Sequence, residues 1–268
     1  MRKNELRQQV DNYFKHHHID SYRTRKHRHY VLYKTIRDLF HIGSVPNKWH
    51  ALTKEHIQNL ILHWKKEKRQ ATTIMNYMTV IRFFLNHIDH HIYAIDNKSL
   101  GLMKQNTNSK LTELPVDIVH NFTNPIAKIL FQFQTHFGLT LSEGMRLIPD
   151  IHIQKDSIWI IRTIASNSQD RIIPIRNDEQ LEIIKNYLKI CKPNISLVST
   201  YGYHHLRYVY NTDLQTLNLI PAKSYRFIYA RNLKSELSQI LSNYMTCQTI
   251  MREMGLQSRM TLWRYLNE

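Results

Sequence analysis

Apolar residues recur in helical steps along most of this chain and alternate in only one short window. In SYRTRKHRHYVLYKTIRDLF the apolar positions Val31, Leu32, Ile36 and Leu39 fall on one side behind a basic entry, which predicts a helix with a buried stripe. GSVPNKW, with Gly43 and Pro46, reads as a turn. Thr53 is placed to cap the next helix, with Glu55 favourable in its first turn and Ile57, Leu60, Ile61 and Trp64 at i, i+3, i+4 and i+7. Thr72 or Thr73 is expected to open a further helix that lines up Ile74, Tyr77, Met78, Ile81, Leu85 and Ile88. These segments predict a bundle of about four helices ending near Ile95.

The polar stretch DNKSLGLMKQNTNSKLTELP lacks this periodicity and reads as a linker. The expected division is a helical domain over 1–97, a linker over 98–114 and a second domain over 115–268. In the second domain helical patterns run to about Phe137 and again from Leu141 to Leu147. The period then changes. IHIQ, the turn Lys155-Asp156, SIWIIRT, the loop ASNSQD and RIIPI predict three short strands. DEQLEIIKNYLKI returns to helix before Pro193, and the chain from Leu206 onward is mainly helical. The fold class is mainly α with a small antiparallel β-sheet.

Composition narrows the function. Lys+Arg number 37 against 21 Asp+Glu, a formal net charge of +16. Such an excess favours a polyanionic partner through phosphate neutralisation and counterion release. The first hundred residues hold 18 Lys+Arg against 8 Asp+Glu, so the excess is concentrated there. No run of about 18 apolar residues predicts a membrane span, and MRKNELRQQV has no apolar signal region, so a cytoplasmic protein, associated with the nucleoid through DNA, is expected. Cys191 and Cys247 lack partner spacing and read as inert thiols. His87, His90 and His91 have a spacing that can bind zinc on a helix, but only Asp89 adds to them, and neither a metal nor a cofactor is expected.

The helical first third followed in order by FGLTLSEGMRL, RIIPIRNDEQ, KSYRFIYARNL and MGLQSRMTLWRYL resembles the tyrosine recombinases, the phage integrase family, and most nearly the branch carried by bacterial mobile elements. The first third is similar to that family's core-binding (SAM-like) helical domain. FGLTLSEGMRL resembles its Gly-Leu-Arg-x-x-Glu helix, RIIPIRNDEQ the strand and turn after its lysine hairpin, KSYRFIYARNL its His-x-x-Arg helix, and MGLQSRMTLWRYL its Leu-Gly-His segment and tyrosine nucleophile. The resemblance implies a clamp around duplex DNA and exchange of phosphodiesters through a covalent phosphotyrosine. Two arginines would hold the phosphate, and a hairpin lysine would protonate the leaving oxygen.

Carried over position by position, the first arginine falls on Thr140, the lysine around Ser166 and Asn167, and the histidine of His-x-x-Arg on Lys223. The second arginine is Arg226, the next proton-transfer position is Leu256, and the nucleophile is Tyr265. Thr140 is neutral and short, and Leu256 has no proton to give. Strand cleavage is therefore expected to be severely reduced or absent. Arg226 then binds a phosphate without catalysis, and Tyr265 reads equally as a packed aromatic. The cations expected to meet DNA phosphates are Arg23, Arg25, Lys26, Arg28, Lys65, Lys66, Lys68, Arg69 and Arg226. The partner is double-stranded DNA, shared with a second copy or an active recombinase. The chain ends three residues after Tyr265, where many family members continue into a tail that docks on a neighbour, so that mode of assembly is not expected.

Two rival readings stay open. One is an active integrase in which Arg146 or Arg162 moves into the site and Lys223 acts as the acid. The other is a basic helical protein that serves RNA or another protein.

Overall fold

The computed structural model describes residues 2–16, 22–103 and 118–267, without the side chains of residues 2, 3 and 23. The chain divides into two compact units, Met1–Asn108 and Ser109–Glu268.

Among the described residues of the first unit stand four α-helices: α1 (Arg2–His16), α2 (Tyr22–His41), α3 (Lys54–Lys66) and α4 (Ala71–His87). Their apolar stripes meet in one core around Leu6, Val10, Leu32, Ile36, Trp49, Trp64, Ile81 and Phe84. Thr53 caps α3 as expected, taking the His56 N–H on its hydroxyl while His56 Nδ1 takes the Thr53 N–H. The fourth helix starts earlier than expected. It opens at Ala71 after Gln70, and neither Thr72 nor Thr73 is its cap. Leu100 and Leu102 also enter this core, although they lie in the stretch expected to be a linker. Their apolar side chains find cover there, which the polar residues around them conceal in the sequence.

Two indoles fasten the bundle. Trp49 Nε1 donates to the Leu6 carbonyl at 3.0 Å, and Trp64 Nε1 donates to Asp38 Oδ2 at 2.7 Å. The same Asp38 oxygen takes Lys34 Nζ at 2.7 Å, and both charged side chains are buried. A buried ion pair is tolerable only when its remaining capacity is filled, and here the indole fills it.

In the second unit, α5 (Pro125–Phe137) is the central helix. Around it stand α6 (Leu141–Arg146), α7 (Pro149–His152), α8 (Asp178–Ile190), α9 (Leu197–Tyr201), α10 (Tyr203–Thr216), α11 (Arg226–Leu237), α12 (Asn243–Met254) and α13 (Arg259–Leu266). Asn124 starts α5 by accepting the N–H groups of Ile126 and Ala127. Asp213 of α10 holds the same corner through Thr123 Oγ1 and the Asn124 N–H.

Among the described residues the sheet has two strands, not the three expected. Strand β1 (Ser157–Ile160) pairs antiparallel with β2 (Arg171–Pro174), with Trp159 opposite Ile172. IHIQ, the expected first strand, is instead the end of α7 and a single bridge from Ile153 to Ile158. Pro149 at the start of α7 has its φ preset for helix, and the buried ring of His152 bonds back to Ile148, so the apolar alternation of IHIQ serves a helical turn. Ile158, Ile160, Arg171 and Ile173 point inward, while Trp159 and Ile172 face out. Among the described residues no helix is long and apolar enough to cross a membrane.

Asp38→Ala takes away the near carboxylate of buried Lys34, leaving Glu67 at 3.7 Å, and leaves Trp64 without an acceptor. A loss of about 3–5 kcal/mol is expected, of which the net value of the indole hydrogen bond is only about 1 kcal/mol. Urea unfolding of the full chain checks the first figure, and equal midpoints for wild type and Asp38→Ala would contradict it.

Candidate functional site

The site grows from the end of α5. Gly138 closes that helix in the left-handed conformation at φ +61°. A side chain here would be strained by the backbone, and its Cβ would also fall 2.5 Å from the ring of Tyr229. The chain then runs through Leu139 into Thr140, which caps α6. Thr140 Oγ1 accepts the Glu143 N–H at 3.2 Å, and Glu143 Oε2 accepts the Thr140 N–H at 2.8 Å. TLSE is thus a capping box, in which two otherwise orphaned N–H groups are satisfied reciprocally.

Glu143 does more than cap. It is fully buried, and its Oε1 accepts the Ser166 N–H at 2.8 Å from the loop between the strands. Its Oε2 also stands 2.8 Å from Arg171 Nη2, an ion pair rather than an aligned hydrogen bond. Burial alone would push this carboxyl pKa up. The contact and charge of Arg171, with the Ser166 and Thr140 N–H groups, overcome burial and hold it at about 2. One carboxylate therefore ties together α6, the hairpin loop and β2. In consequence Thr140 and Ser166 touch, Oγ to Oγ at 3.0 Å. These are the positions where the resemblance puts an arginine and a lysine.

Arg171 Nε donates to the Glu253 carbonyl at 2.9 Å, while Nη1 has no hydrogen-bond partner among the described residues. It packs on Gly255, where a Cβ would meet that nitrogen at 3.1 Å, and Gly255 ends α12 at φ +64°. Arg226 opens α11 and is likewise buried. Its Nε donates to the Gly138 carbonyl at 2.6 Å and its Nη2 to the Met254 carbonyl. The third nitrogen, Nη1, lies 3.4 Å from the hydroxyl of Tyr265 on α13. Burial lowers the Arg226 pKa from its usual value. The Tyr265 hydroxyl and Glu143 oppose this, and the nearby Arg171 charge adds to it. An arginine stays protonated at neutral pH even so.

Of the other expected positions, Leu256 is half-buried against the small core of Tyr229, Ile250, Met254 and Leu262. Lys223 sits before α11 with its ammonium 5.0 Å from the ring centre of Phe227. Arg146 and Arg162 are exposed, and the cation that the hairpin brings inward is Arg171. Behind the site, the buried carboxylate of Glu253 accepts from Arg176 Nη2 and from the Tyr229 hydroxyl, each at 2.5 Å.

Sequence reading missed Glu143, Arg171 and Glu253, yet each left a signal. TLSE has capping-box spacing. Arg171 alternates in phase with buried Ile173. Glu253 lies on the stripe of Thr246, Ile250 and Met254 that α12 buries.

In the first unit, Lys26, Lys65, Lys66, Lys68 and Arg69 are exposed, the last four together at the end of α3. Arg25 and Arg28 are half-buried. Arg25 donates to the Phe14 carbonyl at 3.2 Å, and Arg28 lies over the Phe83 ring at 3.8 Å. The side chain of Arg23 lies outside the described residues. His90 bonds the Leu52 carbonyl and His87 packs on Tyr13, and among the described residues no cluster of three or more His, Cys, Asp or Glu is placed to hold a metal.

Residues 4–94 match the family model of the phage integrase N-terminal domain. No curated protein matches the sequence. Among solved structures, the chain is similar to the Tn1549 transposon integrase, as a tyrosine-to-phenylalanine variant in complex with transposon right-end DNA. Identity is 14% and the TM-score 0.68, over 97% of this chain and 94% of that one. The same integrase in complex with circular intermediate DNA matches at 14% identity and a TM-score of 0.64, with the same coverage. At that identity the likeness is one of fold.

The depressed Glu143 pKa makes stability depend on acid. Its folded value lies below the ordinary 4.5, so its contribution is complete above about pH 4.5 and is lost as pH falls toward about 2. The difference is worth on the order of 3 kcal/mol. Glu143→Gln is expected to remove that acid-dependent component and to cost a similar amount at neutral pH. Urea midpoints of both proteins between pH 2 and 7 check this, and parallel curves would contradict it.

Proposed function

We propose that the chain is a member of the tyrosine recombinase family, as the phage integrase N-terminal model over residues 4–94 and the likeness in fold support, and that it is a duplex-DNA-binding protein whose strand-cutting chemistry is severely reduced. The observation that carries this reading is the hydroxyl pair Thr140–Ser166 at 3.0 Å. A phosphoryl transition state concentrates negative charge, and removing one preorganised donor costs roughly 10²–10³ in rate. Two hydroxyls that bond each other replace two cations here, and neither is a bidentate donor. Leu256 offers no proton transfer.

In this reading the first unit is the DNA-gripping core-binding domain and the second is the catalytic-type domain. The exposed cations at the end of α3, with Lys26, neutralise backbone phosphates. Arg226 Nη1 is the edge of the buried guanidinium that can meet a phosphate oxygen. The similar fold of the Tn1549 transposon integrase, solved in complex with transposon right-end and circular-intermediate DNA, supports DNA of a mobile element as the partner. On that DNA the protein works beside further copies of itself or an active recombinase, and so stays with the nucleoid.

One observation favours a second reading, a working integrase. Tyr265 still stands 3.4 Å from Arg226, and Arg171 brings a second buried guanidinium to the same carboxylate that holds the Thr140 N–H.

A nicked suicide duplex separates the two. With candidate element ends, the expected result is retained binding and no covalent band on a denaturing gel. Binding should weaken by roughly 10³-fold or more between 50 and 200 mM salt if six or more phosphates are contacted. A covalent adduct that disappears in Tyr265→Phe would establish the working integrase instead. The double variant Thr140→Arg, Ser166→Lys is expected to gain adduct that wild type lacks.

A further inference from the structure

The buried carboxylate of Glu253 has no part in the family resemblance, and Arg226 has its position only through neighbours. Two carbonyls grip its guanidinium, those of Gly138 and Met254. Neither carbonyl is fixed by a helix ladder, because Gly138 lies just past the end of α5 and Met254 at the end of α12. What fixes them lies one layer further out. The ring of Tyr229 stacks so closely on Gly138 that no Cβ fits, and Met254 Cγ closes the same space at 3.0 Å. The Tyr229 hydroxyl is held at 2.5 Å by Glu253, the residue before Met254. The second oxygen of Glu253 takes Arg176 at 2.5 Å, where the chain leaves β2, and its backbone carbonyl takes Arg171 Nε at 2.9 Å.

We infer that Glu253 is a positioning residue for Arg226: by holding Tyr229 and the end of α12 together, it fixes both carbonyls that aim the guanidinium at Tyr265. Burial and the neighbouring carboxylate push the Tyr229 pKa above its usual value, so its hydroxyl remains the donor. Arg176 is shifted upward as well. Its burial is outweighed by Glu253 and Tyr229, so its charge persists. The lock therefore keeps one arrangement of protons across the neutral range. A carboxylate suits it because two donors converge on one group, whereas an amide would present its NH₂ to one of them.

The assignment rests on the proposed DNA reading only for its consequence, and its test is split accordingly. Exchange of the Arg226 Nε–H, which donates to Gly138, is followed by NMR on arginine-labelled protein without DNA. Glu253→Gln is expected to speed that exchange by roughly tenfold or more, and to leave the Trp64 indole N–H of the other unit unchanged. Tyr229→Phe removes only the hydroxyl and is expected to act in the same direction, so the test survives if Glu253→Gln fails to fold. Unchanged Arg226 exchange in both variants would overturn the assignment.

Duplex affinity is then measured as a double-mutant cycle. Glu253→Gln is expected to weaken binding by roughly five- to tenfold, the weight of one charge-assisted phosphate contact, and to have no further effect in Arg226→Ala. If the exchange changes but Arg226→Ala binds as wild type, Glu253 still positions Arg226, and the phosphate role given to Arg226 is what fails. Equal losses from Glu253→Gln in both backgrounds would show that it acts on binding by another route, against the assignment.

Discussion

The second unit depends on a carboxylate that has no water. Glu143 is buried beside the one place where the chain must bring a helix start, a hairpin loop and a strand together. Desolvating a carboxylate costs several kcal/mol unless its lone pairs are filled, and here two backbone N–H groups and a guanidinium fill them. Because each donor comes from a different element, satisfying the charge and assembling the site are one event. The hairpin loop cannot slide without stripping Ser166 from Glu143. Thr140 cannot leave its cap without exposing the same oxygen. The contact between Thr140 and Ser166 is a consequence of this arrangement.

That dependence explains how a site can keep its shape while its reactive groups change. The scaffold interactions run through backbone N–H groups, carbonyls and buried side chains: Glu143 to Thr140 and Ser166, Arg226 to Gly138 and Met254, Arg171 to Glu253. None of them needs a particular side chain at 140 or 166 beyond a hydroxyl cap. A threonine at 140 improves the local helix start, because TLSE closes as a capping box. In the proposed reading, the local stability of the helix and the chemistry of phosphoryl transfer place opposite demands on residue 140, and the helix start prevails.

Helices were legible where their apolar stripes were long. Ile57, Leu60, Ile61 and Trp64 located α3, and DEQLEIIKNYLKI matched α8 from end to end. The failures share a cause. IHIQ alternates like a strand, yet Pro149 and the buried ring of His152 turn it into helix, a choice made by packing rather than by period. Leu100 and Leu102 vanished among polar neighbours, since two leucines without periodicity carry no signal until a core exists to receive them. In the site, the positions taken from the resemblance were readable one by one. What could not be read was their support, because Arg171, Arg176, Tyr229 and Glu253 meet across as many as 82 residues of sequence.

The same support bears on what remains of the chemistry. A guanidinium held by two carbonyls is rigid and turns its third nitrogen toward the Tyr265 hydroxyl, an edge that in the proposed reading suits a phosphate contact whether or not a bond is cut. A tyrosine near that edge is not activated by it alone. A tyrosine hydroxyl is a poor nucleophile without a group that takes its proton, and an attack also needs a proton delivered to the leaving oxygen. Leu256 and Ser166 stand where such donors are expected, one with no proton to give and the other a poor acid. In the proposed reading the arrangement keeps the half of the machinery that recognises a phosphate and lacks the half that protonates a leaving group. Binding and cutting are separable demands on this fold, because the carbonyl cage around Arg226 is built from main chain, whereas the acids are side chains that a single substitution removes.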